Sequence, residues 1–421
     1  MTQQQRWGSC IVVASILIVG AATLRPGPVP HSGAQMRICS TWESDKLLSD
    51  MILNVILFMP LGFGAGWLGI RPRFAIAAGA LISATIELIQ LWVIPYRDAS
   101  VLDFLTNTSG TALGLLLAAG LTTIVRPAPR AASRLMLAGT LGWVMTFIGG
   151  GWALRPAPGN DPLWGQRTPE LGGAPKYEGG LLSARLDGVE LPSARIPRDG
   201  LLREQLRHSR IEIDAVVRPP RDSLTEGQAP IVRVADACGR EILVLGSSAT
   251  SLSFRYRMRA TALGLDTPGF ELPQPPLVPV AGNGEDRAAT DTIIVRDRGG
   301  RVRLAYRAPG IDRTTEIRLH PGLWWSFFVP WDYSLGSRSH LWTSVWMGAL
   351  LLPLGYWAAS AIRARGGPSV ILLSAAVIAA SITVVPMLDG FPPATLIDWL
   401  ASVAGALVGF AVASSRRAQW Q

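Results

Sequence analysis

Lysine is nearly missing from this chain: Lys46 and Lys176 are the only two, so the formal charge of +9 rests on arginine. Charged residues of every kind make up only 16% of the sequence, whereas hydrophobic residues reach 49% and the mean hydropathy is +0.29. That balance excludes an ordinary soluble domain and a disordered chain. Histidine and cysteine are scarce too. His31, His208, His320 and His340 have no metal-site spacing, and Cys10, Cys39 and Cys238 include no Cys-x-x-Cys pair. No His-Glu-x-x-His and no phosphate-binding glycine loop after a strand occurs, so neither a metal nor another cofactor is expected. The basic balance is not read as nucleic-acid binding, because no basic-aromatic recognition motif accompanies it.

Long apolar runs are plentiful. A helix needs roughly 20 apolar residues to cross a bilayer core, and eight stretches come close, at about 8–25, 51–69, 74–94, 101–125, 133–153, 339–363, 369–388 and 394–414. Arg6, then Arg71 and Arg73, then Arg126, Arg130 and Arg134, then Arg363 and Arg365, then Arg416 and Arg417 fall at alternate ends of these runs. All five clusters share the cytoplasmic side if the N-terminus is inside. The first run reads as a retained anchor rather than a cleaved signal peptide, since no small-residue cleavage site follows it. The polar stretch 155–335 then lies outside the cytoplasm together with Cys39, which permits a Cys39–Cys238 disulfide. The expected fold is a multi-pass α-helical membrane protein: a five-helix membrane domain over 1–154, an extracytoplasmic β-sandwich over 155–335, and a three-helix repeat over 336–421.

Within the insert the hydrophobic period changes from helical to alternating. Leu252, Phe254, Tyr256 and Met258 alternate with polar residues, and Arg210–Val217, Glu241–Leu245, Thr292–Val295 and Arg301–Tyr306 behave alike. Short strands separated by Gly, Pro and Asp turns indicate a sandwich. Leu263–Arg287 reads as a long surface loop, and Trp324, Trp325, Trp331, Tyr333 and Trp342 as an interfacial aromatic belt. Arg255, Arg257 and Arg259 with Arg301, Arg303 and Arg307 are candidates for one cationic sheet face.

The two membrane blocks resemble each other. Val101–Gly114 aligns without a gap on Leu396–Gly409, matching Asp103, Asn107, Gly110 and Gly114 with Asp398, Ser402, Gly405 and Gly409, and Pro60-Leu61-Gly62 recurs as Pro353-Leu354-Gly355. At about 100° per residue these four positions share one stripe of a helix. The second copy has Met347 opposite Asn54, no carboxylate matching Glu87 and Pro392 in place of Arg97, so it reads as degenerate. Asp103 and Asp398 also suit plain helix N-caps.

Ionisable groups inside a span mark functional sites by default. In the first block Glu87 and Gln90 share a helix face, and Arg97, Asp98 and Asp103 follow in a short turn. With Asn54 and Asn107 they define a candidate site in which Glu87, Arg97 and Asp103 carry the chemistry and Asn54, Gln90, Asp98 and Asn107 hold a ligand. Glu87 suits a general base and Arg97 a clamp for phosphate or carboxylate. The competing structural reading is a Glu87–Arg97 ion pair, or a Glu87, Gln90 and Asn54 network joining helices.

The pattern Asn54, Pro60-Leu61-Gly62, Glu87-x-x-Gln90, Arg97-Asp98, Asp103 and Asn107 resembles the VanZ-like family over about residues 45 to 120. The resemblance implies a small helical membrane protein of the bacterial cell envelope, and the founding member is linked to low-level teicoplanin resistance. It transfers residues but no reaction. The insert is similar to concanavalin A-like or laminin G-like sandwiches from Ile231–Val244 and Leu252–Tyr256, which implies glycan binding. Three function classes follow: an envelope-lipid enzyme, a membrane-anchored glycan-binding scaffold, and a lipid or solute transporter. Partners implied are the lipid bilayer and an envelope glycan or lipid-linked saccharide.

Overall fold

The computed structural model describes residues 1–24, 47–95, 99–171, 174–220, 227–273, 290–329 and 333–418. The chain divides into two compact units, with a boundary between Ala132 and Ser133. Four helices build the first: α1 (Gln3–Thr23), α2 (Leu47–Leu68), α3 (Pro72–Trp92) and α4 (Val101–Val125). Local chemistry sets their ends. Thr2 and Gln5 form a capping box on α1, Pro72 opens α3, and the Ser100 side chain caps α4.

The second unit holds nearly all of α5 (Pro129–Leu154), the insert, and the helices α8 (Ser339–Ala361), α9 (Gly367–Asp389) and α10 (Leu396–Ala418), numbered after two short helices of the insert, α6 (Asp199–Arg207) and α7 (Arg259–Ala262). Among the described residues, seven of the eight long helices are long and apolar enough to cross a membrane, in keeping with the multi-pass fold expected. The helix outside that set is α8. It carries Ser339, His340, Thr343, Ser344 and Ser360, and it is buried along Met347, Leu351, Leu354 and Ala358. Those side chains face protein, while Leu341, Trp342, Val345 and Leu352 of the same helix are exposed.

The two membrane blocks repeat a packing as well as a sequence. In the first unit, a Cβ on Gly62 would fall on the Thr111 carbonyl of α4, one on Gly110 on the Val55 carbonyl of α2, and one on Gly114 on the Met59 carbonyl, all inside 3.0 Å. In the second, Gly355 meets the Ala406 carbonyl, Gly405 the Gly348 carbonyl and Gly409 the Leu352 carbonyl in the same manner. Every contact occupies the position that the sequence alignment assigns to it. In both pairs, absent side chains let two backbones touch, the close approach that stabilises helix pairs in lipid. A further helix covers each pair. Gly8 of α1 meets Gly64 and Leu68 of α2, while Gly139 of α5 meets Leu354 and Trp357 of α8.

The insert forms two six-stranded sheets. Its strands are β1 (Leu163–Arg167), β2 (Gly180–Leu186), β3 (Val189–Glu190), β4 (Arg210–Arg218), β5 (Ala229–Asp236), β6 (Glu241–Ser247), β7 (Ser251–Tyr256), β8 (Gly269–Pro273), β9 (Asp291–Arg298), β10 (Arg301–Ala308), β11 (Ile311–Arg318) and β12 (Ser334–Leu335). One sheet runs β1-β5-β6-β7-β8-β12 and the other β11-β10-β9-β4-β2-β3. The alternation seen in the sequence is the alternation of burial: β4 and β9 bury every second residue, among them Ile211, Ile213, Ala215, Val217, Ile293 and Val295.

Two expectations for the insert need correction. Strand β8 lies inside the stretch read as a loop, where Phe270 and Leu272 bury against β7. The arginines form no common face, because Arg255 belongs to β7 in one sheet and Arg301, Arg303 and Arg307 to β10 in the other. Arg255 pairs with Glu241, and Arg257 is buried 3.8 Å from Asp236. Trp324 stacks edge-on against Trp346 of α8, and Trp325 donates to Thr343 there, so these two aromatics fasten the insert to α8. Trp331 lies outside the described residues.

Adding a methyl group at Gly110 or Gly405 forces the paired backbones apart, and overpacking of this kind costs about 1–3 kcal/mol. Gly110→Ala and Gly405→Ala are therefore expected to lower the thermal unfolding midpoint in detergent. Gly142→Ala, where nothing lies within 4 Å of the new atom, should leave it unchanged or raise it slightly.

Candidate functional site

The polar residues of the first unit line up where α3 crosses α4. Gly79, Ser83, Glu87 and Gln90 share the buried face of α3. Across from them, α4 presents Thr111, Asn107 and the residues around its N-terminus. Three antiparallel rungs result. Gly79 leaves room for the Thr111 side chain, Asn107 Nδ2 donates to Ser83 Oγ at 3.0 Å, and the Ser100 backbone N–H donates to Glu87 Oε2 at 2.7 Å. All three polar members of the α3 face are buried: Ser83 at 0%, Glu87 at 9% and Gln90 at 4% exposure.

Each group meets a distinct need. Glu87 places a carboxylate at the N-terminus of α4, where the helix dipole favours negative charge. Ser100 Oγ accepts from the Asp103 N–H at 3.2 Å and closes the first turn. Gln90 Nε2 donates to the Thr23 carbonyl at 3.0 Å and so satisfies an orphan acceptor at the end of α1. Asn107 Oδ1 is buried without a hydrogen-bond partner. A buried amide oxygen left unpaired costs about 1–3 kcal/mol.

The sequence-predicted residues divide accordingly. Glu87, Gln90, Asp103 and Asn107 gather along the α1, α3 and α4 contacts. Gln90 turns to the end of α1, and Asn107 turns to Ser83. Asn54 is partly buried on α2. Arg97 and Asp98 lie outside the described residues, as does the suggested Glu87–Arg97 pairing. Ser83 and Ser100 were missed by sequence reading. Their signal was the helical spacing Ser83–Glu87–Gln90 and the Ser-x-x-Asp cap.

In the second unit Asp398 is 4% exposed. Thr395 donates to Asp398 Oδ2 through its N–H and its hydroxyl, both at 2.8 Å, while Asp398 N–H returns a bond to Thr395 Oγ1 at 3.3 Å. Ser344 Oγ of α8 lies 2.6 Å from Oδ1. Thr395 thus stands where Ser100 stands in the first unit, as the N-cap, and Asp398 is the third helical residue, which closes a capping box with it rather than being the N-cap itself. Ser402, the counterpart of Asn107, likewise buries an unpaired side-chain oxygen. The third helix departs from the repeat: Ser381 of α9 accepts from Trp143 Nε1 of α5 at 2.8 Å.

Cys238 is disulfide-bonded, and Cys39, which the sequence offers as its partner, lies outside the described residues. Among the described residues no group of three or more His, Cys, Asp or Glu is placed to hold a metal ion.

Glu87→Gln retains an oxygen for the Ser100 N–H and nearly the same volume, whereas Glu87→Leu leaves that donor without its acceptor. The glutamine variant is expected to unfold within about 1 kcal/mol of the parent and the leucine variant to lose about 1–3 kcal/mol, as measured by thermal unfolding in detergent.

No curated protein and no solved structure matches the chain. Residues 15–124 do match the family model described as VanZ/LLP1, a span that runs from within α1 to the end of α4. The chain is a multi-pass membrane protein whose first four helices are similar to the VanZ/LLP1 family.

Proposed function

We propose that the protein binds or modifies a lipid-linked or glycan component of the bacterial cell envelope, with the α3–α4 ladder of the VanZ unit as the working site. The observation that carries this reading is the unpaired Asn107 Oδ1, buried within the same polar strip as Glu87. A hydroxyl or amide of a ligand reaching the strip would satisfy that oxygen. Glu87 is then the general base, Asp103 holds the adjoining helix end, and Arg97 and Asp98, which fall between α3 and α4 in the sequence, are the groups that meet a phosphate or sugar. Asn54 and Gln90 serve as ligand-side hydrogen-bonding groups. The arginine pattern supports a topology with both termini in the cytoplasm and the insert outside it, in the bacterial cytoplasmic membrane. The bonded state of Cys238 supports an oxidising compartment for the insert.

A second reading gives the recognition to the insert, as a concanavalin A-like or laminin G-like glycan-binding scaffold. One observation favours it: an open cleft of about 690 Å3 lined by Asp187, His208, Arg210, Glu212 and Arg298. Side chains that both donate and accept suit a saccharide. Transport by the paired repeats is the third reading, and it is separated from chemistry by lipid or solute flux in proteoliposomes.

The test is teicoplanin susceptibility of a host expressing the full chain. Glu87→Gln, at unchanged membrane level, is expected to abolish whatever change in inhibitory concentration the parent produces, while Arg210→Ala with Glu212→Ala retains it. The reverse pattern would transfer the function to the insert. A parent chain that leaves susceptibility unchanged removes the envelope-resistance part of the proposal.

A further inference from the structure

The second unit holds an unpaired donor that the VanZ unit does not explain. His320 follows β11 and opens the 3-10 helix Pro321–Phe328. Its Nδ1 accepts from the Gly322 N–H at 3.1 Å, so the ring proton resides on Nε2. The ring packs edge-on to Phe147 with centroids 5.4 Å apart. Only 7% of the residue is exposed, and Nε2 has no hydrogen-bond partner. Burial lowers the imidazole to about 4, so it is neutral at ordinary pH, with Asp398 acting in the opposite direction.

His320 and Asp398 line the same small cavity, about 30 Å3, together with Thr343 and Thr395. That is space for one or two water-sized groups. The walls offer an N–H donor on one side and a carboxylate acceptor on the other. A cation would leave the His320 proton unpaired, and an anion would face the Asp398 carboxylate. A hydroxyl satisfies both, since it accepts from Nε2–H and donates to the carboxylate. Exposed Arg318 and His340 also line the cavity. Arg318 lies 3.6 Å from Glu316, a surface pairing too weak to prevent it from meeting a phosphate.

We propose that the second membrane unit has a binding site of its own, in which His320 and Asp398 receive the hydroxyl end of a glycerol-phosphate-type group whose phosphate rests against Arg318 and His340. The site belongs to the second unit and is built at the junction of the insert with α8 and α10. The degenerate copy therefore kept its carboxylate and acquired a histidine from the insert as a new partner.

The experiment uses the full chain in detergent, labelled at histidine, with sn-glycerol 3-phosphate and inorganic phosphate as probes. Nuclear magnetic resonance of the His320 ring reports occupancy, and equilibrium dialysis with radiolabelled glycerol phosphate reports affinity. Glycerol phosphate is expected to shift the His320 signal saturably, and inorganic phosphate to leave it unmoved. Asp398→Asn and His320→Asn should each weaken binding tenfold or more, whereas Glu87→Gln should leave it unchanged, which separates this site from the one proposed above. The asparagine at 320 keeps a capping oxygen for Gly322, so it carries the test if the Asp398 variant does not fold. A shift in nanodiscs containing phosphatidylglycerol but not in phosphatidylcholine assigns the group to a lipid, and a shift with the free compound alone assigns it to a soluble ligand. A His320 signal unmoved by every probe, or moved equally by inorganic phosphate, overturns the proposal.

Discussion

Direct backbone contact at glycine is the constraint on which both membrane blocks depend. Where α2 meets α4, Gly62, Gly110 and Gly114 each face a carbonyl oxygen of the partner helix, and any side chain there would collide with it. In lipid no water is released when helices associate, so van der Waals contact must do what the hydrophobic effect does in solution. Small residues maximise that contact. The same three contacts recur between α8 and α10, so the block is a reusable piece of geometry and not only a similar string of residues.

Polar placement follows from that approach. With α4 fixed against α2, its other side faces α3, and the rungs from Gly79 to Glu87 then fall opposite Thr111, Asn107 and Ser100. An acid or amide inside a span is tolerated only where it meets protein partners. Most of these groups do: Glu87 closes a helix start, and Gln90 closes a helix end. Asn107 Oδ1 does not, and Ser402 at the matching position of the second block also lacks a partner.

The second block shows how the same scaffold was redirected. Its third helix turns its polar group to α5 through Trp143 and Ser381, and the two sheets of the insert enter between α5 and α8. The insert is fastened by Trp324 and Trp325 on α8, and this brings His320 to Asp398. Much of α8 is consequently enclosed by protein, which explains how a helix with Ser339, Thr343 and Ser344 on it remains in a membrane unit.

The sequence alone determined the helical runs, the alternating strands of the insert, and the paired positions of the two blocks. Each of these is a local period or a repeated spacing, and local periods are set by backbone geometry. It also singled out Glu87, Gln90, Asp103 and Asn107, because polar residues stand out against an apolar background. Only the tertiary structure decided where those side chains bond. Hydrogen-bond partners such as Thr23 for Gln90, Ser83 for Asn107 and Ser344 for Asp398 lie 67, 24 and 54 positions away in the chain. The division of the arginines between two sheets, the burial of α8 and the meeting of His320 with Asp398 are likewise products of packing between distant segments, and packing leaves no period in a single sequence.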